Sequence, residues 1–326
     1  MLDKSLGVNK EDMVLIGSDP DRQELVHSIS AALERRGIKY TALCVDYDGK
    51  HVPAELSERM LDDCHNVLLL FFGKSVWHQP ERRKAKYDKR KRVVSYAGTL
   101  EMLEDGPALA DPEKIKIICD DLRPHIGNGT HISLEGPDGT SISADCLSVG
   151  FEEGVYRNPG EGGNFPCGEA YAFGLIEETI NGYVRSNVKV KHLGLSMPGN
   201  DAIFYVKEGR LYPAETEAAM FFSLIERDAE LGFVAELAFG ICPYDRVFSY
   251  PNSAQEEKIL GLAHVGLGSS ISFGGTRKGK HMDLMFGPAT VKIDDKSVII
   301  EGKMNPEYLS PRSRQWIGER GFLYTP

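Results

Sequence analysis

The 326-residue sequence is short of positive charge: 38 Lys and Arg stand against 48 Asp and Glu, a formal net charge of −10. That balance argues against holding a polyanion through a general field, so nucleic acid is not an expected partner. The one dense basic stretch, Arg82 to Arg92, is bordered by Glu81 and interrupted by Asp88, and it reads as one solvated helix face. Cysteine is sparse and unpatterned. Cys44, Cys64, Cys119, Cys146, Cys167 and Cys242 include no two-residue spacing, which argues against a zinc ribbon and a disulfide framework. No apolar run approaches the roughly 18 residues of a membrane-crossing helix. The opening MLDKSLGVNKEDMVLIG has no basic stretch leading into a long apolar one, so a cytoplasmic protein with no membrane partner is expected. Phosphate-loop spacing is missing too: Ile16 to Asp21 lacks G-x-G-x-x-G, and Asp19 or Asp21 reads better as a helix cap.

What is present divides in two. Up to about residue 125, short apolar runs (Met13 to Gly17, Tyr40 to Val45, Asn66 to Phe72, Arg92 to Tyr96) alternate with helical patterns such as Asp21 to Arg36 and Pro53 to Cys64. That cadence predicts an open parallel sheet, whose buried strands read as continuous apolar runs. After Pro124 the pattern becomes strand-rich, with glycine-rich loops at 158–164 and 266–275. The expected fold class is therefore α/β plus α+β: an N-terminal open parallel α/β sheet domain over 1–126, then a β-rich α+β domain over 127–326.

Candidate chemistry concentrates in the second part. His281 and Asp283 are two apart, so on a strand they share a face. His264 lies upstream across a glycine-rich segment flexible enough to bring the two imidazoles together. Glu236 interrupts an apolar strand, GFVAELAFG, and a carboxylate there needs a partner. Glu169 follows Pro166-Cys167-Gly168 in a tight approach. Five such groups are about what two metals require if one carboxylate bridges them. His264, His281 and Asp283 alone make the facial triad of a mononuclear iron(II) oxygenase. A surface hydrogen bond for His281–Asp283, a salt bridge for Glu236 and simple packing for Cys167 are the plainer alternatives.

Five segments in order, NFPCGEAY, GFVAELAFGICP, EEKILGLAHVGLG, SFGG with KHMD, and VKIDDKSVIIEG, resemble the thermophilic-type metalloaminopeptidases of the aminopeptidase T and aminopeptidase S group. The resemblance covers roughly residues 160 to 303. It implies a metal-dependent hydrolase removing N-terminal residues from peptides, with Glu169, Glu236, His264, His281 and Asp283 holding two divalent ions (zinc, cobalt or manganese), Glu169 or Glu236 as general base, and a homodimer. The apolar segment 218–225 is one face that a second subunit could cover. Two positions depart from the pattern: Cys242 stands where the family usually has Asn, and Ile271 stands where some members carry a Tyr that helps stabilise the reaction intermediate. AHVGLG and HMD are also similar to the 2,5-dihydroxypyridine dioxygenases, which implies one Fe(II) and a small-molecule substrate instead; a third reading is a non-catalytic or pathway-specific homologue that keeps the fold and binds a peptide or an amino-acid-like ligand.

Overall fold

The computed structural model describes residues 1–49, 51–62, 64–71, 76–77, 79–190, 194–195, 202–213, 227–248 and 252–325. The segment 218–225 lies outside them. The chain opens β1 (Met13–Ser18), α1 (Gln23–Arg35), β2 (Lys39–Cys44), α2 (Ala54–Leu61), β3 (Asn66–Leu70), α3 (Pro80–Tyr87), β4 (Arg92–Ser95), α4 (Leu100–Leu103) and α5 (Pro112–Ile126). It continues β5 (His131–Glu135), β6 (Ser141–Asp145), β7 (Ser148–Glu152), β8 (Gly162–Asn164), β9 (Glu169–Phe173) and β10 (Asn181–Ser186). Next come β11 (Lys189–Val190), β12 (Gly194–Leu195), β13 (Ala202–Lys207), β14 (Arg210–Pro213), β15 (Val234–Gly240) and β16 (Ala263–Gly268). The last elements are β17 (His281–Phe286), β18 (Thr290–Ile293), β19 (Lys296–Ile300), β20 (Lys303–Met304) and α6 (Pro311–Glu319). No described helix is long and apolar enough to cross a membrane.

These elements form two compact units, Met1–Glu113 with Glu153–Cys167, and Lys114–Glu152 with Gly168–Pro326. The first holds an all-parallel five-stranded sheet in the order β2-β1-β3-β4-β8. Alternate residues of its central strands feed two separate cores: Val14, Ile16, Leu68, Leu70 and Val94 enter one, and Leu15, Val67, Leu69 and Val93 the other. A strand buried on both faces must be apolar at every position, which is why these runs are continuous. Helix α1 buries Leu25, Val26, Ile29 and Leu33 along one face.

The division between the units falls at Glu113, inside α5, where the sequence suggests a boundary near 126, and the chain returns to the first unit over 153–167. Within that return, Gly162–Asn164 is not loop but the edge strand β8, where a Cβ on Gly162 would come 2.1 Å from the Val93 carbonyl oxygen. The basic stretch is not wholly solvated either: Arg82 is 2% exposed, its guanidinium 3.8 Å from the Trp77 ring centre and its Nε donating to Trp77 O at 2.7 Å. Stacking on an aromatic face is what lets a guanidinium leave water there. Asp19 does precede a helical turn, Pro20–Arg22, but its side chain makes no capping bond.

The second unit contains two antiparallel sheets. One has eight strands in the order β14-β13-β10-β6-β5-β18-β19-β20. The other has seven, β12-β11-β17-β16-β15-β9-β7, and its β15 and β16 are buried at every residue.

Candidate metal centre

The register of the seven-stranded sheet brings all five sequence candidates to one face. Glu169 on β9 pairs with Gly240 on β15, and His264 on β16 pairs with Ala238. Gly266 lies between Glu236 and Asp283, and His281 on β17 pairs with Gly268. On at least one side each polar side chain thus stands across from a residue with little or no side chain, although His264 also faces Met285 and Glu169 also faces Glu152. Gly266 is the tightest case: a Cβ there would fall 2.7 Å from His281 Cε1 and 2.8 Å from both His281 Nε2 and Glu236 Cβ. Gly168, immediately before Glu169, has φ +112°, a conformation that favours glycine, and a Cβ there would touch Cys242 Cβ at 3.0 Å.

Two groups of potential ligands result, Glu169–Glu236–His264 and Glu236–His281–Asp283, sharing Glu236. Glu169 Oε1 is 3.0 Å from His264 Nε2, and Asp283 Oδ1 is 3.0 Å from His281 Nε2. Glu236 divides its oxygens, Oε2 lying 3.0 Å from His281 Nε2 and Oε1 3.8 Å from His264 Nε2. Cation–ligand bonds of about 2.0–2.2 Å separate neighbouring ligand atoms by roughly 3 Å in octahedral and 3.4 Å in tetrahedral geometry, so these spacings fit a bound ion. Glu236 Oε1 has no hydrogen-bond partner although it is buried, a state that is costly without a counter-charge. His281 Nδ1 meets the Ser269 carbonyl oxygen at 3.0 Å, which holds the proton on Nδ1 and leaves Nε2 turned inward.

A surrounding layer holds these groups in place. Ser253 Oγ donates to Asp283 Oδ2 at 3.0 Å. The fully buried Lys258 ammonium contacts Glu169 Oε2, Glu152 Oε2 at 2.6 Å and Glu257 Oε1 at 3.0 Å. Lys189 and Glu256, both wholly buried, pair at 2.6 Å. Five carboxylates (Glu152, Glu169, Glu236, Glu257, Asp283) against one ammonium leave four negative charges when both imidazoles are neutral.

Without a cation, protons fill that deficit. Burial raises the Glu236 carboxyl, but the polar contacts and charges of His264 and His281 outweigh it and hold the group down at about 2. Burial lowers His281, yet the charge of Asp283 and the bonds from Asp283 and Glu236 push it up to about 10. His264 is likewise raised well above the ordinary imidazole value despite burial, through Glu169 and Glu236. Burial, aided by Asp283 and Glu169, pushes Glu257 up to about 7 against the pull of Lys258 and His264. Both imidazoles thus behave as cations held by carboxylates, and a metal ion would take over that role.

Cys167 belongs to neither ligand group and lies buried against Gly154. Ile271 begins the short turn Ile271–Phe273 between β16 and β17, and the Phe273 ring centre sits 5.3 Å from that of His281 and 5.5 Å from that of Tyr171. Glu152, Ser253, Glu257 and Lys258 are the surrounding groups that sequence reading missed. The one available signal was EEK running directly into an apolar stretch, ILGLA.

No protein-family model and no curated protein matches the chain. Among solved structures, a 2,5-dihydroxypyridine dioxygenase from Pseudomonas putida aligns over 94% of this chain and 94% of its own at TM-score 0.76 and 14% identity. Wild-type AmpT from Thermus thermophilus aligns over 93% of this chain and 96% of its own at TM-score 0.55 and 15% identity. At such identities the likeness concerns the fold, an α/β unit joined to a β-rich one.

Proposed function

We propose that the chain is a metal-dependent hydrolase, an aminopeptidase that removes N-terminal residues from peptides, with Glu169, Glu236, His264, His281 and Asp283 holding two divalent cations. The support is Glu236, a buried carboxylate with one oxygen toward each imidazole and common to both ligand groups, as a bridging ligand needs to be. The charge count agrees, since two divalent cations cancel the four uncompensated negative charges around the centre. Zinc, cobalt or manganese bound there would supply Lewis acidity toward a peptide carbonyl and a water acidic enough to attack it. Asp283, fixed by Ser253, and His281, fixed by the Ser269 carbonyl oxygen, orient the second ligand group. The AmpT neighbour is consistent with this reading.

A second reading takes only His264, His281 and Asp283, around one Fe(II), as a ring-cleaving dioxygenase. It is favoured by the dioxygenase neighbour and by Ile271, whose side chain offers no hydroxyl. Metal analysis with activity before and after chelation separates the two. Near two equivalents of zinc, cobalt or manganese with release of N-terminal residues from peptides supports the hydrolase. One iron with O₂ uptake on dihydroxylated heteroaromatics supports the dioxygenase and refutes the hydrolase.

A further inference from the structure

Lys258 is the one ammonium that reaches a candidate ligand of the centre among the described ion pairs. It is fully buried, with carboxylates on three sides: Glu152 from β7, Glu169 from β9 and its own neighbour Glu257. Glu152 and Glu169 are cross-strand partners, so one ammonium spans the β7–β9 pair at the position where the ligand leaves the sheet.

The backbone at Lys258 is fixed as firmly as its side chain. Cys242 N donates to the Lys258 carbonyl oxygen at 2.8 Å, and Leu260 N donates back to Cys242 O at 2.7 Å. Gly240, opposite Glu169, lets this segment close against β15: a Cβ there would lie 2.2 Å from Ile259 O and 2.5 Å from the Lys258 carbonyl carbon.

Glu169 therefore has two oxygens with different tasks. Oε2 is taken by Lys258 and Oε1 faces His264 Nε2 at 3.0 Å. A carboxylate with both oxygens available can chelate one ion, bridge two or swing away; one oxygen tied to a fixed ammonium removes those options.

We infer that Lys258 is the positioning residue of the Glu169–His264 half of the centre, holding Glu169 so that a single oxygen is offered to a divalent cation. This rests on the two-cation reading above. Lys258 also keeps the outer carboxylates Glu152 and Glu257 occupied, so that they do not draw the cation outward from Glu236.

The test is calorimetric titration of the full chain with Zn²⁺ or Mn²⁺, comparing wild type, Lys258→Met and Lys258→Arg, with circular dichroism to establish folding. The wild type is expected to bind two equivalents. In K258M one equivalent should weaken by about 10- to 100-fold, the range for loss of a group that orients a ligand. The other equivalent, on Glu236, His281 and Asp283, should keep its affinity, and K258R should restore part of the loss. If K258M does not fold, Lys258→Gln, whose shorter amide can reach one carboxylate but not three, replaces it and should weaken the same equivalent, by less than K258M. A neutral variant that binds both equivalents as tightly as wild type, or loses both alike, overturns the positioning role while leaving the two-cation reading standing. A wild-type chain that binds no divalent cation overturns both.

Discussion

Substituting Gly266 by alanine tests whether the empty space facing the proposed ligands is required. The glycine is not in a left-handed conformation, so the change adds one methyl group without backbone strain. That methyl would lie 2.7 Å from His281 Cε1 and 2.8 Å from His281 Nε2 and Glu236 Cβ. Ordinary contact begins near 3.4 Å, so either the imidazole or the carboxylate stem must give way by about 0.7 Å. Neither can do so freely: His281 is held by Ser269 through Nδ1, and Glu236 is buried in β15. Overpacking of this kind costs about 1–3 kcal/mol. At roughly 2–4 °C per kcal/mol for a chain of this size, Gly266→Ala should lower the melting temperature by several degrees. Because both affected residues belong to the Glu236–His281–Asp283 group, divalent-cation affinity there should fall by at least about 10-fold. Differential scanning calorimetry and cation titration read the two effects separately. A G266A protein with wild-type melting and wild-type affinity would refute the claim that this glycine makes the room in which the ligands meet.

Other consequences are open to measurement. Saturating Zn²⁺ or Mn²⁺ should raise the melting temperature and a chelator should reverse it, with about 2.7 kcal/mol of stabilisation at a hundredfold excess over Kd; a melt insensitive to both would count against a cation site. Alkaline destabilisation is expected from Tyr47, pushed up to about 12 mainly by burial, and Cys146, pushed up to about 11 mainly by burial. The folded state keeps these protons where the unfolded chain has lost them, so their contribution is intact below about pH 9 and declines as pH rises through 9 to 12. Urea melts at pH 8, 9.5 and 11 should show this as a falling midpoint.

Much of the arrangement was legible because it rests on short-range rules. Asn66 to Leu70 reads as a buried parallel strand since both its faces need apolar side chains, and it pairs on both sides as such. His281 and Asp283 share a face by the period of two, and Glu236 announces itself as a carboxylate in a strand buried throughout. What escaped depends on partners distant in sequence. Gly162–Asn164 carries no apolar signal, and only β4 makes it a strand. Arg82 looks solvated until Trp77 covers it. Lys258 looks like one more surface charge until Glu152 and Glu169, far earlier in the chain, close around it. The strand-rich pattern begins after Pro124, yet the helix carries through it to Ile126, where near a helix end the missing N–H and the clash with the preceding turn are tolerated.

That the proposed ligands emerge from paired strands of a single sheet ties the proposed chemistry to strand register. If β17 slipped by one residue against β16, Met282 and Leu284, now buried on the opposite face, would replace His281 and Asp283. The contacts of His281 with Glu236 and Ser269 and of Asp283 with Ser253 would vanish together, and two apolar side chains would meet Glu236 and His264. A misregistered chain is therefore penalised twice, in lost core and in stranded charge, and the residues that would hold the cation also serve as a check on correct strand pairing.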